Sequence, residues 1–284
     1  MLTPHLLNKN YNKLFPTLNL AYELKDGENI TLGYNRRIRR PRYWYINPFP
    51  SRTSETNVFQ GNPDLNPAYT DGVDLGYLKK FDKVTFSTSV YFNHTTDVFE
   101  RILSSELVNG LLVTTTTPLN IASEDRFGWE FSLNYNAFNW WKLNTNFNFF
   151  KTSKDGNNIV PDYTNDSWTA RLNSRVKLPA KIDWQTTVSH RGANENFQTK
   201  SKGITSVNLA FSKDILKDKA TLSLNVSDLF NSRKRISDSF DGFSNIHREF
   251  QWRERQIRLN FAYRFNQKKK RERPSREYES GGDE

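Results

Sequence analysis

The densest group of residues that could bind a ligand lies between residues 39 and 45. Arg39 and Arg40 supply guanidinium cations, and Tyr43, Trp44 and Tyr45 supply flat aromatic faces. Guanidinium groups bind oxyanions through charge-assisted hydrogen bonds, and aromatic faces stack on flat or cationic groups. The group therefore suits an anionic ligand, a sugar or a lipid phosphate. The same residue types also anchor proteins at the level of lipid headgroups, so both interpretations stay open.

The sequence contains no motif for catalysis or for binding a metal. None of its four histidines, His5, His94, His190 and His247, lies at metal-ligand spacing from another, and there is no nucleophile elbow, phosphate loop or dinucleotide motif. The absence of cysteine excludes thiolate metal sites, cysteine nucleophiles and disulfides. We predict no metal, no cofactor and no enzymatic activity. A hydrolase whose serine, histidine and acidic residue come from separate strands is the open alternative.

Composition excludes two further classes of protein. The formal charge is +10, but the basic residues are scattered and form neither a basic helix face nor a zinc-finger pattern, so we predict no nucleic-acid partner. Only 36% of the residues are hydrophobic, and no apolar run reaches the roughly 18 residues of a membrane-spanning helix. Membrane-spanning strands are compatible with this composition, because only alternate residues of such strands meet lipid.

Alternation of apolar and polar residues is the main structural signal. In Gln256 to Asn266, alternate residues from Ile257 to Phe265 are apolar, and the intervening face carries Arg258 and Arg264. Side chains of a strand alternate between its two faces, so one face suits lipid or a core and the other suits water. Ten more segments alternate in this way, which predicts eleven strands around Leu18–Leu24, Ile30–Tyr34, Val73–Tyr77, Val84–Phe92, Phe127–Ala137, Trp141–Phe149, Trp168–Leu178, Ile182–Val188, Val207–Phe211, Leu222–Val226 and Ile257–Phe265.

The connections between these strands alternate between short and long. The short turns lie at Asp26-Gly27, Asp82, Asn139, Pro179-Ala180 and Lys217-Asp218, and the long connections are Ile38 to Ala68, Asp97 to Ser123, Thr152 to Asp166, Gly192 to Lys202 and Asn231 to Glu254. Short periplasmic turns and long extracellular loops are typical of outer-membrane barrels. We predict an all-β fold, an antiparallel transmembrane β-barrel portion of about eleven meandering strands. A soluble all-β binding protein remains the alternative.

The strand count has a consequence for completeness. Eleven antiparallel strands place the two ends of the chain on opposite sides of a membrane, whereas bacterial single-chain barrels have an even number of strands. The first residues, MLTPHLLNKNYNKLF, lack the features of a signal peptide. We expect the carboxyl-terminal part of a larger barrel. The alternative is a small, self-contained pore or surface-binding barrel with an extra strand from residues 1 to 13 or from Leu111 to Thr117.

Several segments resemble TonB-dependent outer-membrane receptors. GNPDLNPAYTDGVDLGY, from Gly61 to Tyr77, is similar to the GNPxLxPE...ELGY signature of that family. LFPTLNLAYEL, NIASEDRFGWEFSLNY from Asn120 and NVSDLFNSRK from Asn225 resemble further pieces of its carboxyl-terminal barrel, in the same order. The resemblance covers roughly Leu14 to Phe265. It departs at Ala68, where the family commonly has an acidic residue.

The resemblance implies a barrel of about 22 strands, filled by an amino-terminal plug, of which this chain is half. It implies import of a scarce ligand, such as a siderophore, cobalamin, a glycan or a peptide. Plug, TonB box and signal sequence are expected before Met1, so the chain alone is expected not to transport. Residues 1–266 would be barrel, with its last strand left unpaired at its edge or wrongly paired with Leu14 to Leu24, and residues 267–284 a charged, disordered periplasmic tail.

The resemblance also implies a location and partners. The location is the cell outer membrane of a gram-negative bacterium. The implied partners are outer-membrane lipid and lipopolysaccharide, the barrel-assembly machinery, which would read Phe265 as a terminal signal, and the TonB complex through the missing amino-terminal part.

Overall fold

A computed structural model describes residues 11–121, 123–156 and 161–265 of the chain. The predicted tail, 267–284, and most of the segment 1–13 lie outside the described residues. Most of the described residues lie in strands. The described residues also include one short helix, α1 (Tyr43–Ile46), and a 3₁₀ turn at Pro179–Lys181. The strands are β1 (Thr17–Lys25), β2 (Glu28–Arg39), β3 (Ser51–Ser54), β4 (Asn57–Phe59), β5 (Ala68–Lys80), β6 (Val84–Thr96), β7 (Phe99–Val108), β8 (Leu111–Asn120), β9 (Ser123–Phe138), β10 (Trp141–Asp155), β11 (Tyr163–Leu178), β12 (Ile182–Arg191), β13 (Asn194–Glu195), β14 (Thr199–Ser201), β15 (Ile204–Ile215), β16 (Ala220–Ser227), β17 (Arg235–Phe240), β18 (Asn245–Phe250) and β19 (Gln256–Tyr263).

Eleven of these strands form one antiparallel sheet in the order β1-β2-β5-β6-β9-β10-β11-β12-β15-β16-β19. Each strand pairs with the next barrel strand along the chain, so the sheet is a meander, as expected of an outer-membrane barrel. The predicted number and order of strands are confirmed. The five predicted short turns are confirmed as well, and the turn between β15 and β16 holds Leu216, Lys217 and Asp218 at positive φ.

The apolar faces of the strands are in register, and they are exposed. Leu32 lies opposite Leu75, which lies opposite Val90, which lies opposite Trp129. These four side chains are 38–50% exposed. Contiguous apolar surface of this kind is rare on soluble monomers, and no second layer covers this face in the described part of the chain. A soluble sandwich would bury it, so that alternative is wrong. The face is the lipid-contacting surface.

The opposite face is polar and concave. Side chains from six strands, β2 to β11 along the sheet, line a concavity of about 580 Å³ that includes Asp74, Glu130, Asn146 and Arg171. Tyr91 lies across Gly128, and its hydroxyl donates to Asn148 Oδ1 at 3.1 Å. A Cβ at Gly128 would collide with the tyrosine ring. Arg171 lies on this inner face, in agreement with the prediction that one face of the strands suits water.

Charged pairs mark both ends of the lipid-contacting surface. On the outward face, Glu28 pairs with Lys79 at 3.2 Å near the short turns, and Arg36 lies 3.8 Å from Asp71 near the long loops. The eight residue steps from Glu28 to Arg36 span about 26 Å, or roughly 20 Å of height at a tilt of about 40°. This height is close to the apolar band of outer-membrane barrels, about 25 Å.

The long connections are folded, which the sequence did not predict. Two four-stranded sheets form there, in the orders β3-β4-β8-β7 and β13-β14-β17-β18. The segment Leu111 to Thr117 lies in β8 of the first of these sheets, so the proposal that it adds a barrel strand is wrong. The connection predicted from Thr152 to Asp166 is shorter than expected, because β10 and β11 extend to Asp155 and from Tyr163.

The sheet is open, with β1 and β19 at its two edges. The outer edge of β19 has no strand neighbour among the described residues, and β19 is not paired with Leu14 to Leu24. Of the two predicted outcomes, the unpaired edge is the one that the structure shows. The strand ends at Tyr263 rather than continuing through Phe265, which is 77% exposed. In an antiparallel sheet of eleven strands β1 and β19 run in the same direction, so closing the sheet on itself would create a parallel seam that antiparallel barrels do not have.

Candidate functional site

The predicted cation and aromatic group lies at the extracellular end of β2. Arg39 is the last residue of β2, and its guanidinium lies 4.5 Å from the centroid of the Phe99 ring. Tyr45 meets the same ring edge-on at 5.8 Å and stacks on Phe59 at 6.0 Å. Cation–π and aromatic contacts of these types each contribute about 0.5–1.5 kcal/mol. Arg39 and Tyr45 therefore connect the segment from the end of β2 to α1 with β4 and with β7.

The other three predicted residues face solvent. Tyr43 is 77% exposed and meets the ring of Trp44 edge-on at 5.0 Å, and Arg40 is exposed in the turn between β2 and α1. The guanidinium of Arg42 lies 5.0 Å from the Trp44 ring. The structure thus separates Arg39 and Tyr45, which contact the Phe99 ring, from a surface formed by Arg40, Tyr43 and Trp44, although Arg39 is exposed as well.

The GNPDLNP segment holds α1 in place. Asn62 N–H donates to the carbonyl oxygen of Tyr45 at 2.6 Å, and its side-chain Nδ2 donates to the carbonyl oxygen of Pro118 at 3.2 Å. Gly61 lies against the backbone of Asn47 and Trp44, where a Cβ would collide with the Asn47 carbonyl oxygen. The glycine of the motif is thus required because two backbone segments touch there.

Two of the motifs that carried the family resemblance contact each other. Asn120, the first residue of the NIASEDRFGWEFSLNY motif, accepts from Asn66 N–H at 2.8 Å and donates to the carbonyl oxygens of Asn66 at 3.2 Å and Asp97 at 2.7 Å. Leu65 is buried between these segments, and Ala68, where an acidic residue was expected, is fully buried. The motifs therefore fix the extracellular segments to the tops of β5 and β9.

The NVSDLFNSRK motif also has a structural role. The Asp228 side chain is buried and accepts hydrogen bonds from Ser232 N–H at 3.0 Å and from Arg233 N–H at 2.9 Å. Asn231 Oδ1 accepts from Arg255 N–H at 2.9 Å, which connects this turn to the start of β19. Carboxylate and amide side chains often satisfy turn backbone in this way.

A cluster of charged side chains attaches β7 to the barrel, on the extracellular side of the Arg36–Asp71 pair. The Lys154 ammonium group contacts Glu100 and lies 3.1 Å from Glu124, while the Tyr163 hydroxyl donates to Glu100 at 3.2 Å. Burial alone would lower the pKa of Lys154, but the two carboxylates outweigh it and raise that pKa well above its ordinary value. Burial, reinforced by Glu100, raises the pKa of Tyr163 to about 12, so its hydroxyl stays protonated.

Hydrogen bonds of Gln198 and of Asp241 join the two extracellular sheets. The Gln198 side chain accepts from Leu103 N–H and donates to the Leu103 carbonyl oxygen, both at 2.9 Å. Ser105 Oγ donates to Asp241, whose carboxylate also accepts from the N–H groups of Phe243 at 3.0 Å and Ser244 at 2.8 Å. Burial would raise the pKa of Asp241, but these hydrogen bonds outweigh it and lower the pKa to about 2.

We predict an acid-induced loosening of this junction. A carboxylate with a lowered pKa adds stability above its ordinary pKa, near 3.8, and loses that stability as the pH falls through its folded pKa, about 2. The protection of the Phe243 and Ser244 amides against hydrogen exchange, relative to free-peptide rates, should therefore fall between about pH 4 and pH 2. Asp241→Asn should show no such transition. A transition that persists in Asp241→Asn would contradict the prediction, and Asp238→Asn, in an exposed pair with His247, is the control.

Metal and membrane-helix sites are absent from the part of the chain that the structure describes. No group of three or more histidine, cysteine or acidic residues there could hold a metal ion. No helix within 11–121, 123–156 and 161–265 is long and apolar enough to span a membrane.

Several residues of the extracellular assembly gave no signal in the sequence. Phe59 and Phe99, which contact the predicted group, are separated from Tyr45 by 14 and 54 positions. Asp241 is separated from Ser105 by 136 positions. Partners this distant are brought together by loop folding and have no local spacing that could reveal them.

Comparison with protein families identifies one match. The family profile described as "Outer membrane protein beta-barrel family" matches residues 3–263, which is most of the chain. No curated protein matches the sequence significantly.

Solved structures match the fold at low sequence identity. The siderophore receptor PirA from Pseudomonas aeruginosa is 16% identical with a TM-score of 0.58, and the match covers 77% of this chain and 39% of that one. The copper transporter OprC is 16% identical with a TM-score of 0.61, over 88% and 39% of the two chains. A mutant of the ferric enterobactin receptor PfeA, also from Pseudomonas aeruginosa, is 15% identical with a TM-score of 0.51, over 78% and 35%. The chain thus spans less than two fifths of the length of each of these proteins.

Proposed function

Because the chain belongs to the outer membrane protein beta-barrel family, we propose that it is the carboxyl-terminal barrel part of a TonB-dependent receptor that imports a scarce ligand. Its location is the outer membrane of a gram-negative bacterium. The observation that carries the proposal is the open eleven-stranded sheet, whose fold matches less than two fifths of a siderophore receptor and of a copper transporter. An open sheet with a polar inner face provides part of the wall of a larger lumen, and the remaining strands and a plug would complete the transporter.

The outward face, the short turns and the extracellular sheets of the chain have different roles. The outward apolar face anchors it in lipid, and the short turns lie on the periplasmic side. The extracellular sheets stand where a ligand first arrives. A rigid surface loses less entropy on binding than a mobile one, and the contacts of Arg39 and Tyr45 with Phe99 provide that rigidity.

Within this receptor we propose that Arg40, Tyr43 and Trp44 contact the ligand and that Arg39 and Tyr45 position them. The exposed rings of Tyr43 and Trp44 offer stacking faces, and Arg40 offers a cation for an anionic group. The barrel-assembly machinery, which would recognise Phe265, and lipopolysaccharide remain proposed partners. The solved structures that match are named as receptors and as a transporter, and we propose no catalytic activity for this chain.

The proposal is tested by uptake in cells that carry the natural gene and in cells that lack it. We expect labelled ferric enterobactin, copper or cobalamin to enter only cells with the gene and only while the inner membrane is energised. Trp44→Leu and Arg40→Gln should each weaken uptake affinity roughly 10-fold, the loss expected for one cation–π or charge-assisted contact of about 1–2 kcal/mol.

The matched control is Trp252→Leu, because Trp252 is another exposed tryptophan of the extracellular region and lies outside the proposed surface. Equal uptake of all three probes with and without the gene would refute the receptor proposal for these ligands. Uptake that depends on the gene but is unchanged in Trp44→Leu and Arg40→Gln would refute only the assignment of the contact residues.

A further inference from the structure

The two extracellular sheets enclose a groove of about 530 Å³ that lies apart from the aromatic surface at α1. Strands β7 and β8 form one wall, and β13, β14, β17 and β18, with the loop after β13, form the other. The volume is in the range of small-molecule sites, about 300–1,000 Å³. Three arginines, Arg101, Arg235 and Arg248, line the groove together with the hydroxyl and amide side chains of Thr116, Asn194 and Asn196.

The register of the second sheet directs two of these arginines to one face. Arg235 lies opposite Phe250, and Ser237 lies opposite Arg248, so Arg235 and Arg248 are diagonal neighbours on adjacent strands. Diagonal backbone positions are about 7–8 Å apart, so the two arginine side chains extend from one face of the sheet, where their like charges repel each other. Arg101 adds a third positive charge from the facing sheet.

The carboxylates near the groove are already paired with other groups. Glu100, which also lines the groove, contacts Lys154. In the second sheet and its connections Glu195 pairs with Lys200 at 2.8 Å, Glu249 with Lys234 at 2.8 Å and Asp238 with His247 at 2.5 Å. Within the described residues, no carboxylate forms an ion pair with any of the three arginines. The groove therefore carries a positive charge that the chain itself does not neutralise.

Uncompensated like charges in a groove lower stability unless a ligand of opposite charge occupies it. Guanidinium groups favour phosphate and carboxylate, which they bind through two parallel hydrogen bonds, and the hydroxyl and amide groups supply further polar partners. We propose that the arginine groove binds a soluble anion that bears two or more phosphate or carboxylate groups. This inference names the chemical class of ligand and rests on the proposed function for the orientation of the groove toward the outside of the cell.

The test is calorimetric titration of the receptor, purified in detergent as the natural gene encodes it, with inorganic pyrophosphate and in parallel with citrate. Arg101→Gln, Arg235→Gln and Arg248→Gln should each weaken binding at least about 10-fold, because one charge-assisted contact contributes about 1.5–3 kcal/mol. Arg52→Gln is the matched control, since Arg52 is an exposed extracellular arginine outside the groove.

A stability measurement on the same variants separates binding from a structural role. Removing one of three repelling charges should leave thermal stability unchanged or raise it, whereas a structural arginine would lower stability when removed. Absence of binding by both probes, or equal losses in Arg52→Gln and in the groove variants, would overturn the proposal.

Two further outcomes identify the source of the anion and keep the proposals distinct. If lipopolysaccharide added to the detergent abolishes pyrophosphate binding, a lipid phosphate is the occupant and the soluble ligand is wrong. If pyrophosphate binds as expected while uptake of ferric enterobactin, copper and cobalamin is independent of the gene, the groove stands and the receptor function proposed above fails for those ligands.

Discussion

Replacing Lys154 with methionine should release the β7–β8 hairpin from the barrel. Methionine keeps most of the volume but removes the charge, which leaves Glu100 and Glu124 near each other without their shared cation. Breaking a buried ion pair by removing one partner costs about 3–5 kcal/mol. The low end of this energy range applies, because 16% of each carboxylate side chain is exposed to solvent. Hydrogen-exchange protection of β7 and β8 should fall roughly 100-fold, measured by mass spectrometry.

The matched control is Lys200→Met, whose partner Glu195 is in an exposed pair. Exposed pairs contribute about 0–1 kcal/mol, so protection of β13 and β14 should change only a few-fold. Comparable effects of the two substitutions would show that the Lys154 cluster is not what holds the hairpin.

In the wild-type chain, the pH dependence of the contact between β7 and the barrel follows from the Lys154 cluster. A lysine with a raised pKa contributes stability that is fully present below its ordinary pKa, 10.5, and is lost only as the pH rises through the raised value. The ammonium group of Lys154 is therefore charged at all physiological pH values.

The substitution Gly61→Ala should displace α1 and with it the proposed ligand surface. A Cβ at this position meets the Asn47 carbonyl oxygen and the backbone of Trp44, neither of which can move without shifting the segment. Overpacking of this kind costs about 1–3 kcal/mol and occasionally more. We expect loss of the hydrogen bond from Asn62 N–H to the Tyr45 carbonyl oxygen, faster exchange of the Asn62 amide and weaker ligand uptake.

The control for Gly61→Ala is Gly76→Ala in the barrel. There the closest atom is Thr31 Oγ1, a side-chain atom that can rotate away. This substitution should cost less than about 1 kcal/mol and should leave uptake unchanged. If Gly61→Ala retained wild-type exchange and uptake, the close approach of backbone at this site would not be required.

The barrel could be predicted from the sequence because its information is local. The period-two pattern in segments such as Leu222–Val226 fixes which side chains share a face, and Asp26-Gly27 or Lys217-Asp218 fixes where the chain turns. A shift of register by one residue would move every apolar side chain to the wrong face. Strand number, order and facing therefore follow from local patterns, without any tertiary contact. The end of β19 at Tyr263 was missed, since alternation continues to Phe265 although pairing stops.

The extracellular region could not be predicted in the same way. Arg39 and Tyr45 stood out by residue type, but only the fold showed that both pack on Phe99 while Tyr43 and Trp44 stay exposed. The glycine and asparagines of GNPDLNP were visible as a motif, whereas the contact of Asn66 with Asn120 was not.

The amino-acid sequence by itself determined that this chain forms antiparallel strands with one apolar and one polar face, because side-chain alternation and turn chemistry act over a few residues. Only the tertiary structure decided how the long connections fold into two sheets, attach through Lys154 and Asp241, and bring Arg101 to Arg235 and Arg248. The physical reason is that these residues are far apart along the chain, 136 positions in the case of Ser105 and Asp241 and still more for Arg101 and Arg248. Their formation depends on loop closure and on packing against the completed sheet, and no local pattern encodes either.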